Sequence, residues 1–338
     1  MMQQTLSIRG VTMRLRLLTV AAIVTLAVVA SYVFWSQPNA GQTTEHIVIV
    51  IASIVEIQPI AELREGFKET IAQSQIADRV EFVERNAQGE NRLMSQIAAE
   101  VSRLRPNAIY VLGTPLAQAI QKQNPEILLL QGAVTDPVGA DLADSWEGSG
   151  RMYAATSDRP PVERILDTIK ELVPERKKLG VIYNPGESNS VAVVEALRAI
   201  AEPRGFSLQE YGVSAIQDLP TTITAALARS EILFIPPDNM VTSGLKAVIQ
   251  SAAAKSVPVF ATTADAVELG ALASVTTDFR QLGRETAEIA IRILVEDEDA
   301  ATIPIQLPKK QQIIVNSQVA QALGISVSSA RSAGYLIQ

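Results

Sequence analysis

Along most of this chain, short runs of β-branched and aliphatic residues alternate with stretches whose apolar positions recur every three or four residues. The runs read as buried strands, and the wider spacing reads as helices with one packed face. His46–Ile54 (HIVIVIASI) predicts a first strand, and Ile60–Gln73, with Leu63, Phe67 and Ile71 in phase, the helix after it. Val80–Val83 follows as a strand, then Glu90–Leu104 as a helix with Leu93, Ile97, Val101 and Leu104 on one face. Ala108–Leu112, Ile127–Leu130 and Met152–Ala155 continue the strands, with a helix over Pro115–Lys122 between the first two. Such repetition predicts a parallel sheet covered by helices on both faces.

A second series begins near Pro161. The helix Val162–Leu172 leads to a strand at Leu179–Tyr183, and the helix Ser190–Ala201 to a strand at Ser207–Gly212. Further strands are expected at Ile232–Ile235, Val257–Ala261 and Ala273–Val275. A helix Phe279–Val295, an acidic Pro-containing stretch and a strand Gln312–Asn316 close the chain. The pattern predicts an α/β protein of two Rossmann-like lobes with parallel sheets joined by a hinge. Residues 46–157 form lobe 1 and residues 158–278 form lobe 2. The tail, about 279–338, is too small for a third domain and is expected to cross back and complete lobe 1. Two such lobes leave a cleft at the C-terminal ends of their strands, where open α/β sheets bind ligands.

Residues 1–45 are of another kind. Arg9, Arg14 and Arg16 precede an uncharged run, Leu17–Ser36, followed by a short polar linker. Twenty helical residues span about 30 Å, enough for a bilayer core. Tyr32, Phe34 and Trp35 sit at its far end, where aromatic rings favour the membrane boundary. The charge asymmetry directs the body outward, to the periplasm or the outer face of the cytoplasmic membrane. The hydrophobic helix serves either as a signal peptide cut near Ala30 or Ala40 or as a retained membrane anchor.

Composition narrows the chemistry. The 338 residues are 47% hydrophobic but only 4% aromatic, so the cores are built from Ile, Val, Leu and Ala. A net charge of −7 argues against nucleic acid as a partner, since such a surface repels phosphates. One histidine and no cysteine argue against zinc–thiolate sites, disulfides, a lipid-modified cysteine anchor and histidine-based nucleophilic machinery. Neither a dinucleotide fingerprint nor a P-loop is present. No cofactor, no metal and no enzymatic activity are expected. The remaining catalytic reading, a carboxylate pair of Asp136 and Asp238, would require turnover.

The polar residues gather just beyond the predicted strands. They include Thr114 in Gly113-Thr114-Pro115, Thr135 and Asp136 before Pro137, and Asn184, Glu187, Asn189 and Ser190 in NPGESNS. Asp238 and Asn239 follow Pro236-Pro237, and Asp265 follows Thr262-Thr263-Ala264. Helix N-termini there would offer N–H groups to a carboxylate, hydroxyls and amides oriented hydrogen bonds, and carboxylates a seat for an ammonium. Together they suit a zwitterion such as an amino acid. Taken singly, Thr114, Ser188, Asn189 and Asp238 have a plainer reading as helix caps, and Asn184-Pro185-Gly186 as an ordinary turn.

These segments together resemble the ABC transporter substrate-binding family that includes tryptophan-binding members. The resemblance runs from about His46 to Val327. It is carried by REGFKE (Arg64–Glu69), NAQGE (Asn86–Glu90), GTPLAQA (Gly113–Ala119), AVTDPVGADL (Ala133–Leu142), GVIYNPGESNS (Gly180–Ser190), PPDN (Pro236–Asn239) and LGRETAE (Leu282–Glu288). It implies a type I periplasmic binding protein with three crossing strands, delivering a small ligand to an ABC permease and ATPase. By position it implies Thr114, Thr135 and Asp136 on the first wall. Asn184, Glu187, Asn189, Ser190, Asp238, Asn239 and Asp265 fall on the second, with Asn189 and Ser190 for a carboxylate and Asp238 for an ammonium. The loop Val55–Ala61 (VEIQPIA) departs from relatives that read VEHPALD: it lacks their His-Pro pair and following Asp. A sensor anchored in the membrane and using the same cleft is the alternative.

Overall fold

The computed structural model of the chain describes residues 46–327 and 334–338; the hydrophobic segment Leu17–Ser36 lies outside them. In the first half, β1 (Ile47–Ser53) leads to α1 (Gln58–Ala72), β2 (Val80–Asn86), α2 (Asn91–Leu104), β3 (Ala108–Leu112), α3 (Thr114–Gln123), β4 (Leu129–Gln131) and β5 (Tyr153–Ala155). The chain then crosses to α4 (Val162–Leu172), β6 (Lys178–Tyr183), α5 (Ser188–Ile200), β7 (Ser207–Gly212), α6 (Leu219–Leu227) and β8 (Ile232–Phe234). Next come α7 (Asn239–Ser243), α8 (Leu245–Ala253), β9 (Val259–Ala261), α9 (Asp265–Glu268) and β10 (Ala273–Thr277). The last elements are α10 (Phe279–Glu296), β11 (Gln311–Val315), α11 (Ser317–Ala322) and β12 (Leu336–Ile337).

Strands β1 to β5 form one sheet in the order β2-β1-β3-β4-β5, all parallel. The second sheet runs β12-β11-β10-β9-β8-β6-β7 and is parallel except where β11 pairs antiparallel with β10. In the first sheet the chain leaves β1 in one direction and β3 in the other. Right-handed crossovers therefore put α1 and α3 on opposite faces, with a switch point between β1 and β3. The same reversal occurs between β6 and β8 in the second sheet, separating α5 from α7 and α8.

Why these residues fold this way is plain in the burial. β1 and β3 are buried almost throughout, as central strands covered on both faces must be. In α1 the apolar residues Ile60, Leu63, Phe67 and Ile71 recur at helical spacing and face the core, and Phe67 stacks on Tyr110 of β3 with ring centroids 4.0 Å apart. Helix α10 packs on α1 at backbone distance. A methyl built on Gly66 would sit 2.0 Å from the Arg280 carbonyl oxygen, and one on Gly283 would sit 2.1 Å from that of Leu63. Only residues lacking Cβ permit that approach.

The tail divides rather than completing the first lobe as a whole. Helix α10 and the buried Ala300, Ile303 and Ile305 join the first core, and Gln306 bridges to Thr156 beside β5. The chain then crosses a third time, and β11 adds to the second sheet, with Val315 in that lobe's core. The physical reason is the partner that β11 finds in β10. Ile314 and Val315 are buried against β10 and its covering helices, which leaves the far edge of the first sheet without this strand.

Candidate functional site

Between the lobes lies a cavity of about 540 Å3, part of it open to solvent. Its lining comes from the loops at the C-terminal ends of strands in both sheets, as the two facing switch points require. One part is apolar, formed by Ile57, Pro59, Ile60 and Leu63 at the start of α1 and by Phe279 at the start of α10. The polar part of the first lobe is Thr114, Thr135 and Asp158; that of the second is Asn189, Asp238, Asn239, Thr242, Thr262 and Thr263. Ala133, in the same wall, holds a left-handed backbone (φ 58°), a conformation unfavourable for a residue with a Cβ and typical of functional sites. Across the gap the lobes come close: a methyl built on Gly113 would lie 3.7 Å from Asn239 Oδ1.

Five of the ten residues singled out in the sequence line this cavity: Thr114, Thr135, Asn189, Asp238 and Asn239. The others take supporting places. Asp136 accepts the Gly139 N–H at 3.0 Å and closes a turn, so it shares no cavity with Asp238. Asn184 accepts the Gly186 N–H at 2.9 Å, the turn its Asn-Pro-Gly sequence signals. Asp265 begins the short helix α9 outside the lining, with Oδ1 buried and unpartnered.

Glu187, Ser190 and Asp238 form the frame of the second wall. Glu187 is only 4% exposed and accepts the backbone N–H groups of Asn239 at 2.9 Å and Met240 at 3.1 Å, as well as the Asn239 side-chain amide at 2.6 Å. Asp238 caps α7 through the Val241 N–H at 2.8 Å and accepts the Asn184 N–H and the Ser190 hydroxyl, each at 2.6 Å. The Ser190 hydroxyl thus donates within the protein, to Asp238 at 2.6 Å with the Pro237 carbonyl oxygen at 3.1 Å, and Asp238 has both oxygens engaged there. That differs from the expected roles of Ser190 toward a carboxylate and Asp238 toward an ammonium. The two satisfy one another because the loops after β6 and β8 meet there and must pair their buried polar groups. Burial and the adjacent Glu187 charge push the Asp238 carboxyl well above the usual carboxylate range, against the hydrogen bonds that favour its charged form.

Asp158 is the carboxylate the sequence reading missed. It follows β5 at the first crossing, in the polar run Thr156-Ser157-Asp158-Arg159 that obeys the same strand-end rule, and its Oδ1 accepts the Thr135 hydroxyl at 2.8 Å. The residue as a whole is half-buried, but its carboxyl is enclosed, and desolvation pushes it up to about 6 against the Thr135 bond. Two further polar atoms in the cavity wall have no partner among the described residues: Asn189 Oδ1 and Thr263 Oγ1, on residues 5% and 8% exposed. Helices α1, α3 and α5, whose first turns reach the cavity, carry no side-chain cap on their leading N–H groups. Buried polar groups are rarely left unmatched, so these atoms mark where a bound molecule would make its hydrogen bonds. Among the described residues no cluster of His, Asp and Glu is arranged to hold a metal ion, and no helix is long and apolar enough to cross a membrane.

Comparison with known proteins fits this geometry. The chain is 30% identical over 290 residues to a tyrosine-binding protein of Clostridioides difficile, covering 85% of this chain and 84% of that protein. A conserved domain protein of Vibrio cholerae superposes with a TM-score of 0.82 at 31% identity, over 86% of this chain and 99% of that one. The domain of a Streptococcus pneumoniae ABC protein in complex with L-Trp superposes with a TM-score of 0.83 at 24% identity, over 87% of this chain and all of that one. A ligand-free, open substrate binding protein from Clostridium difficile gives 0.66 at 30% identity, over 86% and 99%. The ABC transporter substrate binding protein family matches residues 48–333, nearly all of the two-lobed body. The chain thus belongs to that family, and is an extracytoplasmic substrate-binding component of an ABC transporter.

Proposed function

We propose that this protein captures an amino acid with an apolar, aromatic side chain in the interlobe cavity and presents it unchanged to a permease driven by an ATPase. The observation that carries this reading is the division of the cavity. An apolar shelf of Ile57, Pro59, Ile60, Leu63 and Phe279 shares it with buried polar atoms that lack protein partners. A side chain would rest on the shelf, and the charged end of the ligand on the polar wall. The uncapped starts of α1 and α3 suit a carboxylate through their free N–H groups. The tyrosine-binding relative and the L-Trp complex support the aromatic class. The better superposition on the L-Trp complex than on the open structure, despite lower identity, supports lobes set near the closed arrangement. Closure follows when the ligand binds the closed form more tightly than the open one.

The test is a thermal-shift and calorimetric panel of the twenty amino acids on the purified body. Ligand at a hundred times its dissociation constant should stabilise the fold by about 2.7 kcal/mol. Stabilisation by tyrosine, tryptophan or phenylalanine, with the ligand recovered intact, is the expected result. No response to any amino acid would overturn the reading.

A further inference from the structure

The chemistry of the cavity is lopsided. None of its lining residues is Lys, Arg or His, while two are carboxylates, Asp158 and Asp238. Asp238 is engaged by the Asn184 and Val241 N–H groups and the Ser190 hydroxyl. Asp158 takes one side-chain hydrogen bond, from Thr135, and so has lone pairs left for a ligand.

On the opposite lobe Asn189 offers an oxygen, not a nitrogen. Its Nδ2 lies 2.8 Å from the Pro237 carbonyl oxygen and 3.4 Å from a Glu187 carboxylate oxygen, both acceptors only. Turning the amide over would set oxygen against oxygen, so the network fixes Oδ1 as the free, buried acceptor. Glu187 also stands at the N-cap position of α5, where its charge offsets the positive end of that helix and makes it a poor seat for an anion.

We infer that the ligand's ammonium group, held between Asp158 of the first lobe and Asn189 Oδ1 of the second, draws the lobes together, and that its carboxylate is not needed for closure. An ammonium brings three donors and can serve acceptors on both walls at once. A carboxylate brings only acceptors, meets repulsion at both of these atoms, and finds its N–H partners at α1 and α3 of the first lobe; the second lobe offers it threonine hydroxyls such as that of Thr263, but no cation. The site therefore takes arylalkylamines as ligands and rejects the matching aryl-propionic acids. This rests on the amino-acid reading above.

The experiment compares two trios on the full two-lobed body: L-tyrosine, tyramine and 3-(4-hydroxyphenyl)propionate, and L-tryptophan, tryptamine and indole-3-propionate. Closure is read by small-angle scattering and affinity by calorimetry. The amine is expected to close the lobes and to bind within about tenfold of its amino acid, while the acid binds about 100-fold more weakly and does not close them. Closure by the acid, or failure of the amine where the amino acid succeeds, overturns the inference and leaves the amino-acid reading standing. Closure by an amine where neither amino acid binds supports the inference and overturns that reading; no response to any of the six overturns both. Asp158→Asn keeps the shape of the site and should weaken the amine at least tenfold with the acid unchanged or improved. Asn189→Leu should do the same, and equal losses for amine and acid in both variants would sink the assignment.

Discussion

Replacing Gly283 by alanine pits two effects of opposite sign against each other. In the interior of α10, alanine is intrinsically better than glycine by about 1 kcal/mol. The new methyl, however, would stand 2.1 Å from the Leu63 carbonyl oxygen, 2.9 Å from its carbon and 3.0 Å from Leu63 Cα. All three are backbone atoms and cannot rotate aside, so α1 and α10 must part by about 1.3 Å to restore ordinary contact. Overpacking of this kind costs about 1–3 kcal/mol, and an unyielding backbone neighbour puts it at the upper end. The net expectation is a loss of about 2 kcal/mol, seen as a fall of about 4–8 °C in thermal midpoint. Because Ile60 and Leu63 on α1 and Phe279 on α10 line the cavity, ligand affinity should fall with it. Thermal unfolding by circular dichroism, paired with calorimetric titration, reads both. A rise in midpoint, as propensity alone demands, would show that the two helices do not meet backbone to backbone.

Other expectations follow from the cavity wall. With Asp158 pushed up to about 6, it is mostly charged at pH 7 and mostly neutral at pH 5, and Asp238, raised to about 7, loses charge over the same range, so ligand affinity should drop as pH falls from 7 to 5. Asp158→Asn should make that profile shallower in titrations across the range, leaving the part that belongs to Asp238, and an unaltered profile would assign the whole dependence elsewhere. Ser190→Ala removes one hydrogen bond to Asp238 and should cost about 1 kcal/mol of stability in denaturant unfolding, with affinity changed less than about threefold; a large affinity loss would mean that Ser190 touches ligand. Phe279→Ala should weaken aromatic amino acids by about tenfold or more by removing part of the apolar shelf. Equal binding of aromatic ligands by that variant would place the side chain elsewhere.

The strand–helix alternation was legible because buried parallel strands leave uninterrupted runs such as HIVIVIASI, and because polar residues cluster where such strands end. Thr114, Thr135, Asn189, Asp238 and Asn239 were found by that rule. Local sequence could not distinguish a polar residue that faces the cleft from one that holds its neighbours. Ser190 stands next to Asn189, and Asp238 ends another strand, but only the meeting of those two loops decides that Ser190 and Asp238 bind each other. Asp158 was within reach of the same rule, in the polar run of residues 156–159 after β5, but that run falls at the crossing between lobes, and the bond from Thr135 that marks its place in the cavity comes from a residue distant in sequence. The apolar shelf was hidden for a different reason. Ile57, Pro59 and Phe279 look like ordinary helix-start residues, and only the packing of α10 on α1 brings them to one surface. The fate of β11 turned on pairing partner, which a five-residue strand does not encode by itself.

The three passages of the chain between lobes mean that neither half is a continuous stretch of polypeptide. The first lacks part of its interior until Ala300, Ile303 and Ile305 have been made, and the second lacks Val315 and Tyr335 until the chain has crossed a third time. During synthesis, then, no early portion can bury its apolar surface fully and settle. Each half thus closes its core only when a segment distant in sequence returns to it, so the two fold as partners and not one after the other.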